Sequence, residues 1–147
     1  MTMKKGIATR LTAVLLLACT GVAGPALAEG AKRGLVGKRI KLPPVELTLR
    51  KPFATEPIRL EAGKYYQLKL VSDGTDEFVL VGPSFFRNIW INEIAVEDVE
   101  IRPFGVESFE FEGEGELSIT FVPIRGGVFE LRTPRGGESE TITFVVE

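Results

Sequence analysis

Short runs of alternating apolar and polar residues recur from Val45 to the end of the chain, and Gly or Pro lies near most of their ends. A period of two places successive side chains on opposite faces of a β-strand, while Gly and Pro favour the turns between strands. The runs are spaced about ten residues apart, which is typical of sandwiches and barrels of short strands. The pattern therefore predicts an all-β domain of about eight strands.

Two runs show the alternation most clearly. Tyr66, Leu68 and Leu70 would share one face of a strand, and Phe109 and Phe111 would point inward with acidic residues between them. We expect these side chains to lie in the core, because one face of each strand in a sandwich is buried. The closing run, ETITFVVE, is expected to be paired within a sheet.

Two segments depart from simple alternation. The run EFVLVG is continuously apolar, as expected of a strand that is buried on both faces. The segment PSFFRNIW is the one candidate for a helix after the N-terminal region, because Pro83 is suited to the first turn of a short helix.

The first 28 residues have the features of an export signal. A basic start (MTMKKGIATR) precedes an apolar run that is too short to span a membrane, and Ala26-Leu27-Ala28 resembles a cleavage site. We expect cleavage after Ala28, a periplasmic location and no membrane span in the mature chain. The alternative is that LLAC directs lipidation of Cys19, which would anchor the protein to a membrane.

The rest of the chain is expected to form a linker and one domain. Residues 29–44 have no period, are basic and end at Pro43-Pro44, so they are predicted to be a flexible linker. Residues 45–147 are long enough for one compact domain.

Charge is unevenly distributed along the chain. Loss of a leader with three of the 18 Lys and Arg residues takes the net charge from −2 to about −5. An acidic domain argues against nucleic-acid binding, which needs a basic surface. The acidic stretch from Glu93 to Glu116 has two interpretations: a charged face that prevents strands from pairing at the edge, or a docking face for a basic periplasmic partner.

Composition also limits the chemistry. The chain has no His, and its one Cys is Cys19 in the leader. Nucleophiles activated by an imidazole cannot be formed, and no pair of carboxylates is favoured over the others as an acid–base pair. We therefore expect that the protein is not an enzyme.

The order of the segments resembles the cupredoxin family. FATEPIRLEAGKYYQLKLVSDGTDEFVLVG is similar to the first half of a cupredoxin, and ITFVPIRGGVFELRTPRGGESETITFVV to the second. The resemblance implies a Greek-key β-sandwich. It aligns the first His ligand of blue-copper members with Asp76 or Glu77, and the Cys ligand with a position near Thr133. Because a type 1 site needs a thiolate and two imidazoles, we expect no copper cofactor.

One branch of that family is more similar. The acidic residue before Phe78 and the segment GPSFFRN resemble the cupredoxin-like domains of the EfeO type, which belong to periplasmic iron-uptake proteins. This resemblance implies an accessory role beside metal-uptake or redox machinery, with a protein partner.

Three segments are candidate sites. Asp76 and Glu77 in DGTDE could bind a hard cation such as Ca²⁺ or Fe³⁺, although a solvated turn, in which Asp73-Gly74 is a common pair, is the simpler interpretation. Phe85, Phe86, Arg87 and Trp90 could form a patch that docks a partner, or the aromatic side chains could lie in the core. The loop TPRGGES could bind an anion through its N–H groups, or be a flexible hairpin loop.

Overall fold

The computed structural model describes residues 37–147, in which eleven strands form two sheets. The strands are β1 (Ile40–Lys41), β2 (Val45–Leu47), β3 (Ile58–Leu60), β4 (Tyr66–Asp73), β5 (Phe78–Val81), β6 (Ile89–Val96), β7 (Val99–Ile101), β8 (Ser108–Phe111), β9 (Glu114–Pro123), β10 (Gly127–Arg132) and β11 (Thr141–Val146). A short helix, α1 (Pro83–Arg87), follows β5, and a 3-10 turn (Glu138–Glu140) precedes β11.

The first sheet has the order β1-β4-β9-β6-β7, and β2 also pairs with β4. β4 and β9 are antiparallel over eight residue pairs, from Tyr66 opposite Phe121 to Asp73 opposite Glu114. β1 and β2 run parallel to β4, one beside its beginning and the other beside its end. β1 and β2 therefore lie at one edge of the first sheet, and β7 forms the other edge.

The second sheet has the order β3-β11-β10-β5-β8. β10 and β11 form an antiparallel hairpin, and β11 is also paired in parallel with β3. The prediction that the closing run is held within a sheet is confirmed. β8 pairs antiparallel with β5 and forms one edge of this sheet, and β3 forms the other.

The inner faces of the two sheets enclose one apolar core. Tyr66, Leu68, Leu70, Phe109 and Phe111 are all buried, as the alternation predicts. The run EFVLVG differs from the prediction: Phe78 and Leu80 are buried while the valines between and after them are half-buried, because β5 faces the core on one side only. The prediction of an all-β sandwich is confirmed, with more strands than expected because several have only two or three residues.

The predicted start of the domain is too late. Ile40 donates its N–H to the carbonyl of Tyr65 at 2.8 Å, and Leu42 donates to Gln67 at 2.9 Å. These bonds place residues 40–42 in the first sheet rather than in a flexible linker. The predicted leader, its cleavage site, the alternative lipidation site at Cys19 and the remainder of the linker before residue 37 lie outside the described residues. Among residues 37–147, no helix is long and apolar enough to cross a membrane.

Candidate functional site

Three loops meet at one end of the sandwich, which we call the loop end: residues 48–57, 74–77 and 133–140. β2 and β4 are parallel, and Leu47, the last residue of β2, lies beside Ser72 one residue before the end of β4, so the first two loops leave the sheet together. β10 runs antiparallel to β5, with Arg132 opposite Val81, so the loop after β10 lies at the end where β5 begins. The loop that the sequence aligns with the copper ligands of cupredoxins is therefore part of the loop end.

The loop after β10 is closed by its own side chains. The buried hydroxyl of Thr133 donates to Oε2 of Glu140 at 2.5 Å, and the N–H of Thr133 donates to the carbonyl of Glu140 at 3.2 Å. Gly136 lies against this pair: a Cβ there would be 2.0 Å from Oγ1 of Thr133 and 2.5 Å from Oε2 of Glu140. Only glycine at position 136 leaves room for the hydrogen bond between Thr133 and Glu140. The loop is therefore closed by this bond and is not an open hairpin loop.

An aromatic side chain fills the space beside this loop. Phe53 is buried, packs edge-to-face on Phe78 with ring centroids 5.5 Å apart, and donates its N–H to the carbonyl of Ser139 at 2.9 Å. Loop 48–57 is therefore joined to the loop after β10 by the backbone and to the core by an aromatic pair.

The turn after β4 is organised by Asp73. Its Oδ1 accepts hydrogen bonds from the hydroxyl of Thr75 at 2.6 Å and from the N–H of Thr75 at 3.0 Å. The pKa of the Asp73 carboxyl lies below its ordinary value of 3.8, chiefly because of the hydrogen bond from the Thr75 hydroxyl. Desolvation, the next largest effect, opposes this shift, and smaller effects of Thr48, the Thr75 N–H and Arg50 support it. Asp73 is thus held as a carboxylate that orders the turn.

The two candidate metal ligands lie next in the chain. Asp76 and Glu77 are exposed, and Oδ1 of Asp76 accepts a hydrogen bond from the N–H of Glu77 at 2.9 Å. Because Phe78 is opposite Phe111, the exposed Glu112 and Glu114 of the β8–β9 turn lie at the same end. We call Asp76, Glu77, Glu112 and Glu114 the acidic rim. In residues 37–147, no three acidic side chains converge closely enough to hold a metal ion.

The candidate docking segment is divided between core and surface. Phe85 is completely buried and stacks on Phe144 with ring centroids 4.2 Å apart, and Phe86 is buried against Phe109. These two side chains cannot contact a partner in the folded chain, because α1 turns them toward the core. Arg87 and Trp90 are exposed, the latter by 42%.

A groove on the outer face of the second sheet was not predicted from the sequence. It has a volume of about 790 Å³ and lies between residues 52–57 and 136–139, over the outward side chains of β10 and β11. Arg132, Thr141 and Thr143 line it together with Glu130, Ala54 and two prolines, so the groove mixes charged, polar and apolar surface. Alternation with buried residues is the sequence signal for such an outer face, and it is present in both strands: Glu130 and Arg132 in β10, and Thr141 and Thr143 in β11.

Comparison with known proteins identifies the fold but no family. No family model matches the chain, and no curated protein matches it. Its structure is similar to a copper nitrite reductase from Nitrosomonas europaea, with 10% identity and a TM-score of 0.51 over 65% of this chain and 34% of that one. It is also similar to a multi-copper oxidase from Pseudomonas thermotolerans, with 12% identity and a TM-score of 0.51 over 76% of this chain and 30% of that one.

These likenesses show a cupredoxin-like fold, and the chain spans about a third of the length of the two structures. At such low identity, they say nothing about the chemistry of this chain. A type 1 copper site needs a thiolate and two imidazoles. The chain has no His, and at the loop end Thr133 and Glu140 are hydrogen-bonded to each other. The residues present do not fit a type 1 copper ion.

Proposed function

We propose that this chain is a non-enzymatic, exported cupredoxin-like module that docks on a protein of metal-uptake or redox machinery and works without type 1 copper. The observation that carries the proposal is the closed loop end. Thr133 and Glu140 are hydrogen-bonded to each other there, and the Phe53 side chain fills the adjacent space. A surface that is ordered by the protein's own contacts is suited to recognition.

The acidic rim gives the docking surface its character. Its four carboxylates are exposed and lie around an end of the sandwich whose three loops are held by hydrogen bonds and packing. A fixed array of like charges on rigid loops attracts a basic partner from a distance and aligns it on approach. Because the rim is exposed, we expect the association rate to fall as salt is added.

Site-specific photo-crosslinking in the cell envelope tests this proposal. A photoreactive amino acid at Glu112 in the rim is compared with one at Ile124, which is exposed in the turn at the opposite end of the sandwich. We expect position 112 alone to capture a protein of exported metal-uptake or redox machinery, identified by mass spectrometry. The same products from both positions, or partners outside such machinery, would refute the proposal.

An alternative function is the binding of a hard cation by Asp76 and Glu77. The observation in its favour is the β5–β8 pairing, which brings Glu112 to the same end as these two carboxylates. Hard cations such as Ca²⁺ and Fe³⁺ prefer oxygen ligands. Binding would require the loops to draw together, because residues 37–147 contain no preformed group of three ligands.

Metal analysis and thermal melting distinguish the two functions. Protein without a His tag is analysed for bound metal and melted with Ca²⁺ or Fe³⁺, because a ligand that binds only the folded state raises the melting temperature. The cation hypothesis predicts a shift that Glu77→Gln abolishes and Glu61→Gln, at the opposite end, preserves. No metal and no shift would eliminate this alternative while leaving the docking proposal to the crosslinking result.

A further inference from the structure

The edge of the first sheet at β7 has no protein partner among residues 37–147. β7 pairs with β6 on one side, and no described strand covers its other side. Its apolar side chains are also uncovered: Val99 is 60% exposed and Ile101 is 47% exposed. An exposed edge with apolar side chains is a template for adding a further strand.

The hairpin turn determines which backbone groups point away from β6. Val96 is opposite Val99, so β6 and β7 are joined by the two residues Glu97 and Asp98, and the positive φ of 52° at Glu97 is typical of such turns. In a hairpin of this kind, the residues that flank the turn bond to each other, and the pattern alternates along the strands. Val99 and Ile101 therefore bond toward β6, whereas Glu100 points its N–H and C=O groups outward.

The side chain of Arg102, the first residue after β7, lies on the same face of the sheet as the side chain of Glu100. Its Nη2 lies 3.7 Å from Oε2 of Glu100 and 3.3 Å from Oε2 of Glu93, so these charges share one face of the sheet. β7 ends at Ile101, and the same alternation carried one residue further directs the backbone groups of Arg102 outward, like those of Glu100. Pro103 lacks an N–H, but its position in the alternation is on the β6 side, so it removes no hydrogen bond from the free edge.

We propose that the β7 edge pairs with the β7 edge of a second copy of this chain, antiparallel and centred on Ile101. In this register, Glu100 of each copy is opposite Arg102 of the other, and their outward backbone groups can bond to each other. Ile101 is opposite Ile101 at the two-fold axis, with Val99 beside it on the same face. The segment is therefore complementary to itself in backbone bonding, charge and apolar surface, as a two-fold interface requires.

Sedimentation of the full chain, after export and purification without a tag, tests whether the edge associates. The interface is small, so we expect mostly monomer near about 10 µM and mostly dimer near about 1 mM. Ile101→Lys, which places two like charges at the axis, should abolish the dimer. Val128→Lys is the matched control, because Val128 is also an exposed apolar strand residue, at 67% against 47% for Ile101, and lies in the other sheet. A monomer at 1 mM, or a dimer that survives Ile101→Lys, would overturn the proposal.

Charge reversal tests the register itself. Glu100→Arg alone opposes two cations across the interface and should weaken dimerisation at least tenfold. The double change Glu100→Arg with Arg102→Glu restores opposite charges between the copies and should recover most of the dimer. Circular dichroism and melting of each variant check that it is folded. A folded double variant that dimerises no better than the single one would refute the antiparallel register.

Discussion

Gly136→Ala should destabilise the protein markedly, although it adds a single methyl group to an exposed loop. The new Cβ would lie 2.0 Å from Oγ1 of Thr133 and 2.5 Å from Oε2 of Glu140, both far inside van der Waals contact. The loop must open to relieve this contact, and the Thr133–Glu140 hydrogen bond is lost when it does. Gly137→Ala is the matched control, because a Cβ there has no atom within 4 Å.

The expected loss has two parts. Overpacking that shifts the backbone costs about 1–3 kcal/mol. A hydrogen bond to a charged group contributes about 1.5–3 kcal/mol, and we take the lower end because Glu140 is only half-buried. Together they predict that Gly136→Ala lowers the free energy of unfolding by about 3 kcal/mol. Gly137→Ala should change it by less than about 0.5 kcal/mol, or stabilise slightly through the unfolded chain.

Urea unfolding followed by circular dichroism measures both changes. Repeating Gly136→Ala in a Thr133→Ala background should give a smaller loss, because the nearest clash and the hydrogen bond are both already absent. Equal effects of the two glycine substitutions would refute the account of a closed loop. A loss from Gly136→Ala that is unchanged by Thr133→Ala would refute the part assigned to the hydroxyl.

Two further predictions concern the core and the turn after β4. Phe85→Ala should lower the free energy of unfolding by about 3–5 kcal/mol, because it empties a fully buried position that stacks on Phe144. Trp90→Ala, at an exposed position, should lower it by about 1 kcal/mol. Similar losses for the two variants in urea unfolding would contradict the assignment of Phe85 to the core and Trp90 to the surface. Asp73→Asn should lower the melting temperature near neutral pH. Since the pKa of Asp73 is lower in the folded chain than its ordinary 3.8, its charged form stabilises the fold above pH 3.8, and this stability is lost as pH falls through the lower folded pKa. The difference in melting temperature between Asp73→Asn and wild type should shrink on acidification. A difference that grows would mean that the pKa of Asp73 is not lowered in the folded chain.

The parts of the fold that the sequence predicted correctly have a strong local period. Tyr66, Leu68 and Leu70 alternate over a strand of eight residues, long enough for the pattern to be unambiguous. Pro83 was sufficient to predict the start of α1, because proline at N1 satisfies local backbone geometry. Neither prediction depends on a distant segment.

The parts that were missed depend on contacts between distant segments or on too few residues. β1 has only two residues, so no alternation marks it, and its pairing with β4 is set more than twenty residues away. The direction of Phe85 and Phe86 was left open between core and partner surface, because α1 has five residues, little more than one turn, and gives no apolar stripe. The groove requires the register between β10 and β11, which no local pattern shows.

The closed loop end depends both on local sequence composition and on contacts between residues that are apart in the chain. TPRGGES indicates a turn through its composition, but its order comes from the hydroxyl of Thr133 meeting a carboxylate seven residues later over a glycine. A loop ordered by a bound metal depends on the supply of that metal, because binding free energy then contributes to folding. A loop ordered by its own side chains has the same shape whether metal is scarce or abundant. On the proposed function, this independence is what a docking module of a metal-uptake system needs, since its partner must be recognised when metal is lacking.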